Sequence, residues 1–135
     1  MRYCVLLDAK ENRAKPLPLT PGVSLLENAY KVMGCRSVQL LPLYPDRIPE
    51  GYEAVTDDEV WCRNCMKVFN PLASWLYGTD DHGTPIMNNV VIFKVKRDDL
   101  TGMTEEEARG IADDLNSRAD EIYDLTMFRA LMVNQ

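Results

Sequence analysis

Three helix-start motifs divide this chain into segments and constrain its fold more than any other feature. Ser24 with Glu27, and Thr104 with Glu107, have the spacing of a capping box. In this motif the first side chain binds the backbone N–H of the second residue, which reaches back in turn. Asn70 is also a good N-cap, and the proline after it suits the first helical position. We therefore predict one helix directly after each motif.

The predicted helices differ in length because their stop signals differ. Gly34 and Gly78 can take the left-handed conformation that ends the first and second helices. No proline or glycine occurs in residues 111–135. The third helix is thus predicted to run unbroken over residues 104–132. Its apolar residues at helical spacing are Ala108, Ile111, Ala112, Leu115, Ala119, Ile122 and Leu125.

Apolar runs between these helices predict the strands of a sheet. Residues 2–8, 36–43 and 88–96 are rich in aliphatic and β-branched side chains. Residues 10–22 contain three prolines among polar residues and predict a connection without a strand. Residues 79–85, TDDHGTP, predict a loop because turn-forming residues dominate them.

The order of these elements predicts an α+β fold. We expect a small mixed or antiparallel sheet of about four to five strands, with the helices on one face and a split β-α-β-like order. The length of 135 residues fits a single domain, residues 1–135. Within it, residues 1–96 are expected to form the α+β core and residues 104–132 the long C-terminal helix.

The run VWCRNCMK, residues 60–67, has three interpretations: a redox dithiol, half of a zinc site, or a turn. Carboxylates directly upstream oppose the lowered thiol pKa that a redox cysteine needs. A zinc site at Cys62 and Cys65 remains open, although Cys4, Cys35 and His82 are the only other soft ligands. The two-residue gap between the cysteines favours a hairpin tip joining two strands. Packing without any cofactor is the simplest expectation.

The charge is concentrated near the C-terminus. The chain carries a net charge of −6, and residues 97–124 alone hold ten Asp or Glu against three Arg, a net −7. No Lys/Arg cluster is dense enough to follow a phosphate backbone, so we expect no direct nucleic-acid binding. The N-terminal apolar run is too short for a signal peptide or a membrane span. We expect a cytoplasmic protein with reduced cysteines.

One part of the chain resembles a known family. NPLASWLYGTDDHGTPIMNNVVIF, residues 70–93, together with LLENAYKVMGC and SVQLLPL, is similar to a small uncharacterised domain family of phages, plasmids and conjugative elements. The similarity spans roughly residues 3–95. It implies an accessory protein of a mobile element, in a family sometimes encoded near antirestriction proteins, and transfers no catalytic residues.

Two function hypotheses follow. In the first, the chain is a non-enzymatic protein that binds a host protein of a nucleic-acid-handling defence system, as anti-CRISPR and antirestriction inhibitors do. Its acidic helix would imitate nucleic-acid charge. The residues expected to bind the partner are Glu106, Asp113, Asp114, Asp120 and Asp124.

The alternative is a small-ligand (nucleotide) or zinc-binding protein. Its pocket would be formed by Trp61, Trp75, Tyr77 and His82, beside the cysteine hairpin. Phe128, Leu131 and Met132 extend the apolar helical spacing beyond what a small sheet needs, which favours a homodimer through the C-terminal helix.

Overall fold

The computed structural model describes residues 1–61 and 64–133, which form one antiparallel sheet with helices on both faces. The strands are β1 (Tyr3–Asp8), β2 (Arg13–Pro18), β3 (Val38–Leu41), β4 (Tyr52–Asp57), β5 (Val90–Lys96) and β6 (Asp99–Thr101). The helices are α1 (Leu25–Met33), α2 (Pro71–Tyr77), α3 (Thr79–His82), α4 (Glu105–Ser117) and α5 (Ala119–Val133). The α+β class predicted from the sequence is confirmed.

The central strand of the sheet is β5. Five strands follow the order β2-β1-β5-β4-β3, and β6 pairs with the C-terminal part of β5. Every pair is antiparallel. Hence β2 and β3, at the two edges, run in the same direction, and α1 connects them. This β2-α1-β3 unit is a split β-α-β arrangement with three strands between its two parallel members.

The helices are divided between the two sheet faces, not gathered on one as predicted. Val5 and Leu7 belong to the larger core with residues of α2, α4 and α5. Cys4 and Leu6 belong to a second core with Ala29 of α1. Side chains alternate across a strand, and both faces of β1 are apolar, so each face needs a cover.

Strand β2 corrects the prediction that residues 10–22 contain no strand. Leu19 N–H donates to Arg2 O, so odd-numbered residues of this segment present their N–H groups to β1 and even-numbered ones point outward. Pro16 and Pro18 are even-numbered, and their missing N–H groups do not interrupt the ladder. The outward-facing backbone groups of Ala14 bind the Asn116 side chain. The Ala14 N–H donates to Asn116 Oδ1 at 2.7 Å, and Asn116 Nδ2 donates to Ala14 O at 2.9 Å. These features close the sheet edge against further strands.

The prediction of one unbroken helix over residues 104–132 is wrong. The helix breaks at Arg118, whose φ and ψ are −117° and 11°. Before the break α4 packs on β1 and β2, and after it α5 packs on α2 and α3. After the break, Ile122, Thr126 and Ala130 of α5 are buried.

The predicted hairpin around the cysteines is also wrong in the part that the structure describes. Strand β4 ends at Asp57, and residues 58–61 form a turn. Residues 64–68 form no strand, and Phe69 makes a single bridge to Met87. Of the predicted tip, Arg63 and Asn64, only Asn64 is among the described residues, and Cys62 lies outside them as well.

The three helix starts are confirmed. Ser24 accepts from the Glu27 N–H, and Asn70 accepts from the Ala73 N–H, both at 3.1 Å. At Thr104 both halves of the capping box are present. Gly34 and Gly78 end α1 and α2 with φ of 65° and 96°. The local signals were sufficient here because each partner lies within four residues.

Candidate functional site

A cluster of polar and aromatic side chains lies where α2 meets α3, and we call its residues Tyr44, Arg47, Trp75, Asp80 and Asp81 the corner cluster. Arg47 donates two hydrogen bonds to the Asp80 carboxylate, at 2.5 and 2.9 Å, and a third to Trp75 O at 2.6 Å. Its guanidinium carbon lies 4.5 Å from the centre of the Tyr44 ring and 4.8 Å from that of Trp75. Arg47 thus has an anionic partner and two aromatic neighbours.

The corner cluster also joins the loop before β4 to the C-terminal helices. The Tyr44 hydroxyl donates to Asp81 Oδ2 at 2.5 Å, and this hydrogen bond to a carboxylate raises the pKa of Tyr44. Arg118, at the break between α4 and α5, lies 4.6 Å from the Trp75 ring centre. Arg129 Nε donates to Asp81 O at 3.0 Å. The acidic pair Asp80–Asp81 therefore serves contacts within the chain.

His82 has both ring nitrogens hydrogen-bonded to backbone. The Thr84 N–H donates to its Nδ1 at 3.1 Å, so Nδ1 is an acceptor and carries no proton. The proton is then on Nε2, which donates to Tyr77 O at 3.0 Å. The two backbone groups assign this tautomer and position the ring at the end of α3. The arrangement leaves neither nitrogen directed at a ligand.

Segment 79–85, predicted to be a loop, contains the short helix α3. Gly78 and Gly83 flank it with φ of 96° and 85°. Thr79 is buried, and its hydroxyl donates to Thr84 O at 2.5 Å. The predicted loop is therefore wrong at residues 79–82, where one helical turn forms between the two glycines.

The predicted ligand pocket is only partly assembled. Trp61 and Tyr77 line one cavity of about 180 Å³ beside β3. Tyr77 also contacts the His82 ring edge to face, with 4.9 Å between centroids. Trp75 lies instead in the corner cluster with Arg47 and Arg118. The cavity lined by Trp61 and Tyr77 is smaller than the range of about 300 to 1,000 Å³ that is usual for small-molecule sites.

A larger cavity, about 620 Å³, lies elsewhere, beside the start of α1 and β6. Leu19, Val23, Leu25 and Leu100 are among its lining residues. The side chain of Asn28, also at its wall, is engaged by the backbone of residues 20–24. No sequence motif pointed to this cavity, because its walls come from three distant segments.

The cysteines do not define a site in the described part of the chain. Cys65 is half-buried and accepts a weak hydrogen bond from Asn88 Nδ2 at 3.9 Å, while Cys62 lies outside the described residues. Cys4 is buried, and burial raises the pKa of its thiol to about 11. Among residues 1–61 and 64–133, no three His, Cys, Asp or Glu side chains are grouped as metal ligands. A zinc site at Cys62 and Cys65 stays a prediction.

The predicted partner-binding carboxylates lie on two helices because of the break. Glu106 and Asp113 are on α4, Asp120 and Asp124 are on α5, and all four are exposed. We call these four residues the acidic surface. Within the described residues none of them forms a salt bridge. Asp114, the fifth predicted residue, is bound to Arg118 at 2.9 Å.

Glu107 shows how differently a neighbouring carboxylate on α4 can be placed. Its Oε2 accepts from Lys94 Nζ at 2.7 Å and from the Tyr52 hydroxyl at 2.5 Å. These hydrogen bonds, first that from Lys94, lower the pKa of Glu107 to about 2. Burial and the bond to Glu107 raise the pKa of Tyr52 to about 12. The sequence predicted the capping role of Glu107 but not these contacts, whose partners lie on strands β4 and β5.

An exposed apolar surface occupies the outer side of α5. Of the large hydrophobic side chains that are exposed in the described residues, five lie on this helix. They are Tyr123, Leu125, Phe128, Leu131 and Met132, with exposed fractions of 42% to 67%. The last four point away from Ile122, Thr126 and Ala130, and we call them the α5 stripe. The sequence placed Leu125 toward the core, whereas the structure exposes it.

Comparisons with protein-family models, with curated proteins and with solved structures found no match for this chain. The helices in the described residues include none that is long and apolar enough to cross a membrane.

Proposed function

We propose that this chain is a non-enzymatic accessory protein of a phage or mobile element that binds a host protein through the acidic surface. The partner class is a nucleic-acid-handling defence complex, whose basic groove would accept carboxylates in place of phosphates. The resemblance of residues 3–95 to a mobile-element domain family supports this context.

The observation that carries the proposal is the contrast among the carboxylates of α4 and α5. Glu105, Glu107 and Asp114 are engaged by Arg109, Lys94 and Arg118. The four residues of the acidic surface, in contrast, are exposed and form no salt bridge with described residues. Exposed charges without a salt bridge, on two helices that pack against the sheet and against α2 and α3, are held in a fixed spatial pattern. Such a pattern is what charge mimicry requires.

The groups that would suggest catalysis are used inside the fold. His82 is held by two backbone groups, Asp80 by Arg47, and Asp81 by Tyr44. A general acid or base needs a free path to a reacting proton. These contacts support a binding function over an enzymatic one.

The test is a charge reversal with a matched control. The variant Asp113→Lys/Asp120→Lys/Asp124→Lys is compared with Glu50→Lys/Asp58→Lys/Asp99→Lys, which changes net charge equally at other exposed positions. Each is produced in cells that carry a restriction system or an RNA-guided defence, and the cells are challenged with a sensitive phage. We expect the wild type and the control to raise plaquing efficiency and the acidic-surface variant to lose at least about tenfold of that effect.

Binding to the defence complex should show the same pattern in purified components. We expect affinity for the complex to fall as salt rises, because exposed charges are screened. The acidic-surface variant should bind weakly and with little salt dependence. Equal inhibition and equal binding by the two triple variants would refute the proposal.

A further inference from the structure

We propose that the α5 stripe is a homodimer interface in which α5 packs antiparallel against α5 of a second copy. The proposed interface centres on Leu125, Phe128 and Met132, which are exposed on α5. They recur three and four residues apart, so at about 100° per residue they form one line along the helix. Leu131 lies beside this line. All four are 48% to 67% exposed.

The opposite side of α5 already has its partners. Ile122, Thr126 and Ala130 are buried, and α5 packs on α2 and α3. The Thr126 hydroxyl donates to Ile122 O at 2.8 Å, which satisfies it within the helix. The α5 stripe is therefore surplus to the core of one chain. Contiguous apolar surface on a preformed helix is the pattern of an association site.

The charges along α5 favour a second copy in the antiparallel direction. The N-terminal part carries Asp120, Glu121 and Asp124, all exposed. Residues 125–133 carry a single charge, Arg129, which is positive. Parallel packing would bring the carboxylates of two copies together. Antiparallel packing places the acidic part of each helix beside the neutral and basic part of the other, so the surface complements itself.

The spacing of the α5 stripe also defines a register. In an antiparallel helix pair whose two-fold axis passes midway between Leu125 and Phe128, residues related by that axis face each other in layers. Leu125 then faces Phe128 of the second copy, and the reverse contact follows from the two-fold axis. The next layer outward sets Glu121 against Met132 of the second copy. Because the interface is small, we expect a dissociation constant in the micromolar range.

The first test is the mass of the purified chain in sedimentation velocity across about 1 to 300 µM, a range that brackets a micromolar dimer. We expect the mass to rise from 15.4 kDa toward twice that value. Phe128→Glu and Leu125→Glu should remain monomeric throughout. The control is Leu26→Glu, since Leu26 is an exposed leucine on α1 and should leave dimerisation unchanged. A wild-type chain that stays monomeric at the highest concentration would overturn the proposal.

The second test separates the two directions. In the antiparallel register, residue 132 faces Glu121 of the second copy. Met132→Lys should therefore keep the dimer or tighten it, whereas Met132→Glu should weaken it at least about tenfold. In parallel packing residue 132 would meet itself, and both variants would weaken the dimer equally. Equal weakening would reject the antiparallel arrangement. Neither test involves a host protein, so its result is independent of the proposed function.

Discussion

The corner cluster and the acidic surface are both rich in charge, but they use it in opposite ways. In the corner cluster, Arg47 and Asp80 are about four-fifths buried and bind each other through two hydrogen bonds. On the acidic surface, Asp113 and Asp120 extend from α4 and α5 without a salt bridge to described residues. In the sequence, TDDHG, residues 79–83, looks more like a reactive site than the acidic side of a helix does. Charge density along the chain is therefore a poor guide to function unless the partners of each charge are known.

The largest effect is expected from breaking the corner cluster. Asp80→Ala removes the anionic partner of Arg47 and leaves a largely buried guanidinium between Tyr44 and Trp75. We expect a loss of about 2 kcal/mol in the free energy of unfolding, since a partly buried pair loses less than a fully buried one. Urea denaturation measures it. The control is Glu105→Ala, which removes an exposed pair with Arg109 and should cost at most about 0.5 kcal/mol. Equal losses in the two variants would contradict the distinction.

A smaller, pH-dependent effect is expected at Glu107. Its pKa is lowered from 4.5 to about 2 in the folded chain, so its stabilising contribution is present above pH 4.5 and is lost as pH falls toward 2. Glu107→Gln should cost roughly 1 to 2 kcal/mol near pH 7, after allowance for partial exposure, and much less near pH 2.5. Glu106→Gln on the adjacent residue is the control. Urea midpoints at the two pH values give the comparison, and a pH-independent cost of Glu107→Gln would contradict the assignment.

The smallest effect is expected on the acidic surface itself. Asp113 lies toward the C-terminal end of α4, where the helix dipole disfavours a negative charge. Asp113→Asn should leave the free energy of unfolding unchanged or raise it by up to about 0.5 kcal/mol. Thermal unfolding followed by circular dichroism is sufficient. A loss greater than about 1 kcal/mol would show that Asp113 has a structural partner.

Asn70 illustrates how far sequence interpretation reached. The motif Asn-Pro predicted a helix cap, and the side-chain oxygen does accept from the Ala73 N–H. The amide nitrogen of the same side chain also donates to Leu7 O at 3.0 Å and to Asn88 O at 2.8 Å. Those acceptors lie 63 and 18 residues away. The capping role is a local property of the sequence, whereas the link from α2 to β1 exists only after the chain has folded.

The candidate site divides in the same way. The sequence predicted that the carboxylates of the acidic surface are exposed, because exposed charge on a helix follows from spacing. It grouped Trp61, Trp75, Tyr77 and His82 in one pocket, but the structure brings together Tyr77 with His82 and Tyr77 with Trp61 only. Trp75 instead lies against Arg47, which comes from a loop that contains no recognisable sequence motif.

The sequence by itself determined the helix starts, the helix-ending glycines and the apolar strands, since these depend on partners within about four residues or on simple alternation. Only the tertiary structure decided that residues 13–18 form a strand, that the C-terminal helix breaks at Arg118, and that His82 is held by backbone. In each of these cases competing packing partners outweigh a weak local preference. An edge strand tolerates proline if its ladder side is intact, and a helix without a breaker still ends where its apolar side must turn to a new neighbour.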